Sequence, residues 1–323
     1  MSLTEFLDGT STDAFLVVHA GRIVFERYFG DGGPDTRHVL MSVSKSIGAM
    51  AAGCLVTDGL LELSESVSFL VPELATSAYG SASISQLLDM TAALRFSQEY
   101  EDPTSEVQAQ DRAAGWRPRI DGDAEDSRSF LATLRPAGNH GEEFQYCSAT
   151  TDVLAWVLER AAKTHYGELL SDRVWSRIGA ENDAIVSVDR AGNPYACAGI
   201  AATARDLVRF GLCVLDDRRA LGAQVFSSAL IDATRHGGSR AAIEGHADFA
   251  ALHDAGTYRN QWWVTGDERG TLIARGIFGQ YLWLDPLNDV AIVKFSSQPG
   301  PLDDYVAHDV ALAQISTLVA ESR

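Results

Sequence analysis

Apolar and β-branched residues fill AFLVVHAGRIVFERYF (residues 14–29) on both sides of an Ala20-Gly21 pair, the pattern of two strands joined by a tight turn. At Ser42 the pattern changes to SVSKSIGAMAAGCLVTDGLLEL, a helix so rich in Ala, Gly and Met that it must pack closely on several sides, closing near Gly59. From about residue 80 to 180 the apolar spacing is mostly helical, as in SISQLLDMTAALRF and ATTDVLAWVLERAAKTHYGELLSDRVW, with a polar connection at RPRIDGDAEDSRS. The last third returns to strands in YRNQWWVTG, GTLIARGIFGQYLWLDP and DVAIVKFSSQ, with a turn at LNDV, and DYVAHDVALAQISTLVAESR closes the chain as an amphipathic helix. Strands at both ends with helices between predict an α/β (α+β) fold: one antiparallel sheet built from both termini, flanked by helices, with a mostly helical lobe inserted. The expected boundaries are 1–75 and 185–323 for the sheet lobe and 76–184 for the helical lobe, together one domain.

Composition narrows the partners. The chain has 323 residues, 46% of them hydrophobic, enough for a large core. Its formal net charge of −18 and the absence of any basic cluster exclude nucleic acid and anionic membrane as natural partners and favour a neutral or cationic small molecule. No segment reads as a signal peptide or a membrane span, so the expected location is the cytoplasm. Cys54, Cys147, Cys197 and Cys213 stand far apart with no CxxC pair, the usage expected of buried free thiols in a reducing compartment.

Lysine is the scarce residue. Of 26 basic residues only Lys45, Lys163 and Lys294 are lysines, and Lys45 stands among three serines in MSVSKS. Arginine keeps its proton in proteins, whereas a lysine amine can be tuned to lose it. On a helix Ser42 and Lys45 share a face, while Ser44 and Ser46 point elsewhere. Ser42 is therefore the candidate nucleophile and Lys45 its base; the helix start and the apolar packing of IGAMAA both favour the neutral amine. Two plainer readings stand beside this one. Ser42 could simply cap the helix, and with 27 serines and three lysines an S-x-x-K arises by chance in about one such chain in four.

Further strings accompany S-x-x-K in order: DGLLELSESVSFLVPEL, ISQLLDMTAAL, QYCSATTDVLAWVLE, ATARDLVRFG and GIFGQYLWLDPLNDVAIV. From about residue 14 to the C-terminus the chain resembles the serine β-lactamase-like hydrolases, the group of class C β-lactamases, DD-peptidases and related esterases and amidases. Within it, RFSQEYEDPTSEV is similar to a segment of the 6-aminohexanoate-dimer (nylon-oligomer) hydrolases. The resemblance implies roles for particular residues. Ser42 and Lys45 match the family's S-x-x-K, and Tyr146 of YCS matches the tyrosine that shares protons with the lysine and delivers one to the leaving group. Ala274, Arg275 and Gly276 fall where the family has K-T-G, which makes the amides of Ser42 and Ile277 the oxyanion donors. Loss of that lysine puts penicillin and peptidoglycan substrates in doubt, and Arg275, one residue along, should face the other side of the strand. The closer likeness implies that Tyr100 contacts the leaving nitrogen and that Asp111 receives a free substrate ammonium, with Trp116, Trp262 and Trp263 available to wall an apolar slot. A lone Asp is also ordinary solvated surface, and at least one of those tryptophans should be core.

No G-x-S-x-G, H-E-x-x-H, G-x-x-x-x-G-K-[ST] or strand-linked G-x-G-x-x-G occurs, and no histidines pair on a helix face. The expectation is a serine hydrolase without cofactor or metal, cleaving small linear amides and esters through an acyl-enzyme, its substrate carrying a free amine in one version of the reading. A carboxylesterase or weak β-lactamase of the same fold is the nearer alternative. A non-catalytic ligand sensor on the same scaffold is the further one. A homodimer is compatible with the sequence.

Overall fold

The computed structural model describes residues 2–215, 219–220, 223–246, 249 and 253–322. Its centre is a seven-stranded sheet. Strands β1 (Thr12–His19) and β2 (Arg22–Tyr28) form the first hairpin, turning at Ala20 and Gly21, both at positive φ, 49° and 73°. Paired positive φ is the geometry that matches the twist of a two-residue hairpin. The C-terminal third supplies β3 (Thr257–Arg259), β4 (Trp262–Val264), β5 (Leu272–Gly276), β6 (Gln280–Asp285) and β7 (Val290–Ser296). The order is β2-β1-β7-β6-β5-β4-β3 and every neighbouring pair is antiparallel, so the first hairpin docks on the last strand.

Helices cover both faces, which is why β1 reads as an almost unbroken apolar run. Alternate residues separate cleanly. Leu16, Val18, Leu272, Ala274, Leu282 and Val293 belong to the main core shared with α2 (Val43–Thr57) and α5 (Ala204–Leu215), whereas Phe15, Val17, Ile273, Tyr281 and Ile292 pack toward α1 (Leu3–Gly9) and α6 (Tyr305–Glu321). The four cysteines are buried free thiols. Among the described residues no helix is long and apolar enough to cross a membrane.

Helix α2 runs almost wholly buried from Val43 to Leu55 and packs against α4 (Ser148–Ala162), as its small-residue content requires. A Cβ at Gly53 would lie 2.1 Å from Leu230 Cδ2, so a side chain on this turn of α2 would have to displace the Leu230 side chain.

Two expectations need correction. The helix expected across SISQLLDMTAALRF spans only Ile84–Leu88. Tertiary bonds end it: the Leu88 carbonyl accepts from Gln261 N–H at 2.9 Å, the Asp89 carboxylate accepts from Arg259 Nη1 at 2.7 Å, and Met90 turns to φ 51°. The closing helix α6 buries His308, Asp309, Leu312 and Ser316, while Val306, Val310 and Leu318 stay exposed. Polar residues sit on its packed side because Arg275 and His253 both bond Asp309 there, at 2.7 and 3.0 Å.

Candidate active site

The nucleophile candidate sits at a strained entry to α2. Met41 is held at φ 47°, a left-handed conformation unusual for a long side chain, and Ser42 follows at φ −68°, ψ −8°. Ser42 makes no capping bond. Its Oγ instead lies 2.8 Å from Lys45 Nζ, one turn along the same face.

Lys45 is 1% exposed, and its Nζ meets two other oxygens, the Cys197 carbonyl at 2.8 Å and Ser148 Oγ at 3.3 Å. This set of three neighbours suits both protonation states. As an ammonium, Lys45 donates to all three. As a neutral amine, it keeps its two N–H bonds to Ser148 and Cys197, and its lone pair falls toward the Ser42 hydroxyl. Ser148 is itself fixed by Gln98, which donates from Nε2 to Ser148 Oγ and accepts the Ser148 N–H, both at 2.9 Å. Gln98 Nε2 also donates to the Tyr100 oxygen at 2.8 Å. Burial pushes the Tyr100 phenol well above its ordinary pKa, so it stays protonated and free to donate.

The Tyr146 ring lies 5.3 Å from Lys45 Nζ and stacks on Trp263 at 5.7 Å with an interplanar angle of 16°. Trp263 thus walls the site. Trp262 does not: it is fully buried and stacks on Phe210 in the main core. Trp116, 37% exposed, donates from Nε1 to Ser187 Oγ at 3.0 Å and tilts against Tyr195.

Two cavities meet at Ser42, Tyr100 and Ile277. The larger, about 1240 Å³, runs past Tyr146 and Trp263 to the exposed apolar side of α6. The smaller, about 410 Å³, is bordered by Asp111, Trp116 and Tyr195. Asp111 lies on α3 (Glu106–Ala113) and is engaged, accepting from the Tyr195 hydroxyl and from Arg117 Nε, the latter at 3.0 Å.

At the end of β5, a Cβ on Gly276 would come 2.6 Å from the Leu40 carbonyl oxygen and 2.9 Å from Met41 Cβ. Only glycine allows this strand to lie against the entry to α2, and Ile277, next along the chain, lines both cavities with Ser42. Phe278, just beyond, is also at positive φ, 62°. The two amides expected to hold an oxyanion are therefore each adjoined by a residue in a strained conformation. Ala274 is buried in the main core, so no cation stands at the family's K-T-G position. Arg275 does face the other side of the strand from Ala274, but that side is not remote: it lines the larger cavity with Ser42.

The structure thus brings Ser42, Lys45, Tyr146, Tyr100, Gly276 and Ile277 together and sets Asp111 in the adjoining pocket. Sequence reasoning assigned no role to Gln98, Ser148, Tyr195 or Arg117. Gln98 and Ser148 stand inside the motif strings RFSQEY and YCS, so their neighbours were the available signal; Tyr195 and Arg117 carried none. Among the described residues no group of three or more His, Cys, Asp or Glu could hold a metal.

An antiparallel sheet between helical layers, with a buried lysine against a serine at the head of a central helix, is the arrangement of the serine hydrolases of the β-lactamase and DD-peptidase kind. A model of the Beta-lactamase family matches residues 3–317, and the chain belongs to that family. It is 46% identical over 299 residues to the 6-aminohexanoate-dimer hydrolase of Paenarthrobacter ureafaciens, covering 93% of this chain and 76% of that one. Among solved structures it resembles one described as "Putative 6-aminohexanoate-dimer hydrolase from Bacillus anthracis", with TM-score 0.89, 28% identity, and 99% and 83% of the two chains covered. A penicillin-binding protein from Bacillus halodurans shares the fold at 16% identity, with TM-score 0.72 over 98% of this chain and 100% of that one.

Proposed function

We propose that this hydrolase cleaves small linear amides whose acyl part carries a free amine, with Ser42 as nucleophile. Lys45 takes the Ser42 proton as the Oγ bonds the carbonyl carbon, and the Ser42 and Ile277 amides hold the oxyanion. Tyr146 protonates the departing nitrogen as the C–N bond breaks, and recovers its proton from the Lys45 ammonium. Tyr100 steadies the leaving nitrogen. Water then attacks the acyl-enzyme by the reverse proton path and releases the acid. The observation that carries this reading is the 2.8 Å contact between Ser42 Oγ and a fully buried Lys45 Nζ.

Asp111 supports the amine preference. It borders the smaller cavity at Ser42, and an incoming ammonium would compete with Arg117, whose side chain is 45% exposed and able to swing away. The curated relative named for the 6-aminohexanoate dimer makes that linear amide the first substrate to try. The test compares the linear dimer with its N-acetylated form: the reading expects kcat/KM to drop at least about tenfold on acetylation. Equal turnover of the two would remove the amine from the reading. The carboxylesterase alternative is favoured by the size and aromatic walls of the larger cavity, which admit bulky apolar groups. With Ala274 in the core, β-lactam turnover is expected to be slow. The four buried thiols support residence in a reducing compartment such as the cytoplasm.

A further inference from the structure

We propose that Asp152 is the positioning residue of the Lys45 amine: it clamps the Cys197 peptide whose carbonyl receives that amine, and faces it with a buried negative charge. The proposal rests on the reading of Lys45 as base for Ser42. Asp152 lies on α4, only 4% exposed, and does not border the substrate cavities. One of its oxygens accepts the Cys197 N–H at 2.9 Å and the other accepts from Gln110 Nε2 at 2.6 Å. Cys197 is therefore held at both ends, its N–H on Asp152 and its carbonyl 2.8 Å from Lys45 Nζ. One residue connects a buried carboxylate to a buried amine.

The groups around Asp152 leave it a single charged counterpart. Tyr79, Tyr166, Tyr195 and the Cys197 thiol all interact with it, and burial pushes each of them upward, so all are neutral near pH 7. The next charges out are already paired, Asp111 with Arg117 and Glu159 with Arg128. Burial raises Asp152 itself to about 7, while its bonds to Gln110 and Cys197 and the charge of Lys45 pull the other way. That attraction is mutual. When Lys45 takes the proton from Ser42, a cation appears in a dry site, and the Asp152 carboxylate offsets it without accepting a proton. Orientation of a base by a third group is the general logic of catalytic triads. Here a peptide unit stands between base and orienter.

Asp152→Asn is the test. The asparagine oxygen still accepts from Cys197, and a flip of the Gln110 amide turns its Oε1, buried and without a partner among the described residues, toward the new NH₂, at the cost of the Nε2 contact with Cys197 Sγ. The readout is the titration of ¹³Cε-labelled lysine by NMR. Three lysines give three signals, with Lys163 assigned through Lys163→Arg and Lys294 through Lys294→Met. The Lys45 signal in the variant should lack any inflection imposed by Asp152, while the Lys294 signal is unchanged. In the wild type the Lys45 signal should carry a second inflection near pH 7 as Asp152 titrates, a check that needs no variant. On the alkaline plateau kcat/KM for p-nitrophenyl acetate should fall about 10- to 100-fold in Asp152→Asn. A wild-type Lys45 signal without the inflection, or one that keeps it in Asp152→Asn, overturns the proposal. Ester hydrolysis that survives in Ser42→Ala would instead sink the nucleophile reading and leave the lysine titration to judge Asp152 separately.

Discussion

Gly276→Ala should disable the enzyme while leaving it folded. The added methyl would stand 2.6 Å from the Leu40 carbonyl oxygen, 2.9 Å from Met41 Cβ and 3.0 Å from Gln280 Cβ. Ordinary carbon contacts begin near 3.5 Å, so β5 and the entry to α2 must part by roughly 0.5 to 1 Å. All three obstacles are backbone or a Cβ beside it, so no rotamer change relieves the clash. Overpacking of this kind costs about 1 to 3 kcal/mol, well short of the stability expected of a domain with this core. Activity is more sensitive: a displacement near 1 Å costs about 100-fold, and loss of one oxyanion donor costs about 100- to 1000-fold. The assay is p-nitrophenyl acetate hydrolysis beside thermal unfolding of the same samples. The expected pair is a cooperative transition lowered by a few degrees and a kcat/KM at least about 100-fold down. A folded variant within about threefold of wild type would show that the Ile277 amide is not an oxyanion donor and that the close approach at Gly276 is only packing.

Lys45→Arg keeps the charge but removes a base that can be neutral, and is expected to lose ester hydrolysis by at least about 1000-fold with little change in the unfolding transition. Asp111→Asn should raise KM about 10-fold or more for substrates with a free amine and leave neutral esters within about twofold; equal effects on both would mark Asp111 as structural. Lys294 is buried on β7, and burial lowers it from 10.5 to about 7. Between those two values the unfolded chain binds a proton that the folded chain does not, so the penalty is fully present below pH 7 and is relieved as pH rises toward 10.5. Lys294→Met should therefore raise Tm at pH 7, and the gain should shrink by pH 10; a gain independent of pH would contradict the burial argument.

Much of the fold was legible because its signals are local. The Ala20-Gly21 turn, the strand pairs at Trp262 and Tyr281, and the small-residue helix after Ser42 each declare themselves within a few residues, and each formed where expected. The helix past Leu88 failed because its end is set by Arg259 and Gln261, some 170 residues away, which no local pattern shows. The site divides in the same way. Ser42 and Lys45 are one helical turn apart and can be paired from spacing alone. Tyr146, Ile277, Tyr100 and Asp111 needed the family resemblance, since they come from four separate segments. Arg275 shows the limit of alternation: period two correctly put it opposite Ala274, yet the cavity wraps around the end of the sheet and takes in that face as well. Asp152 was invisible for another reason. Its partners are a backbone N–H and a glutamine, and a lone Asp within an apolar helix carries no motif.

The central claim is that Ser42, activated by Lys45, forms a covalent acyl-enzyme. Its most direct test is wild type and Ser42→Ala side by side on p-nitrophenyl acetate, with the protein quenched early and digested for mass spectrometry. The account predicts turnover by wild type with an acetyl group on the peptide containing Ser42, and a folded Ser42→Ala protein with neither turnover nor label. Hydrolysis that persists in Ser42→Ala, or an acetyl group on a different residue, would contradict it.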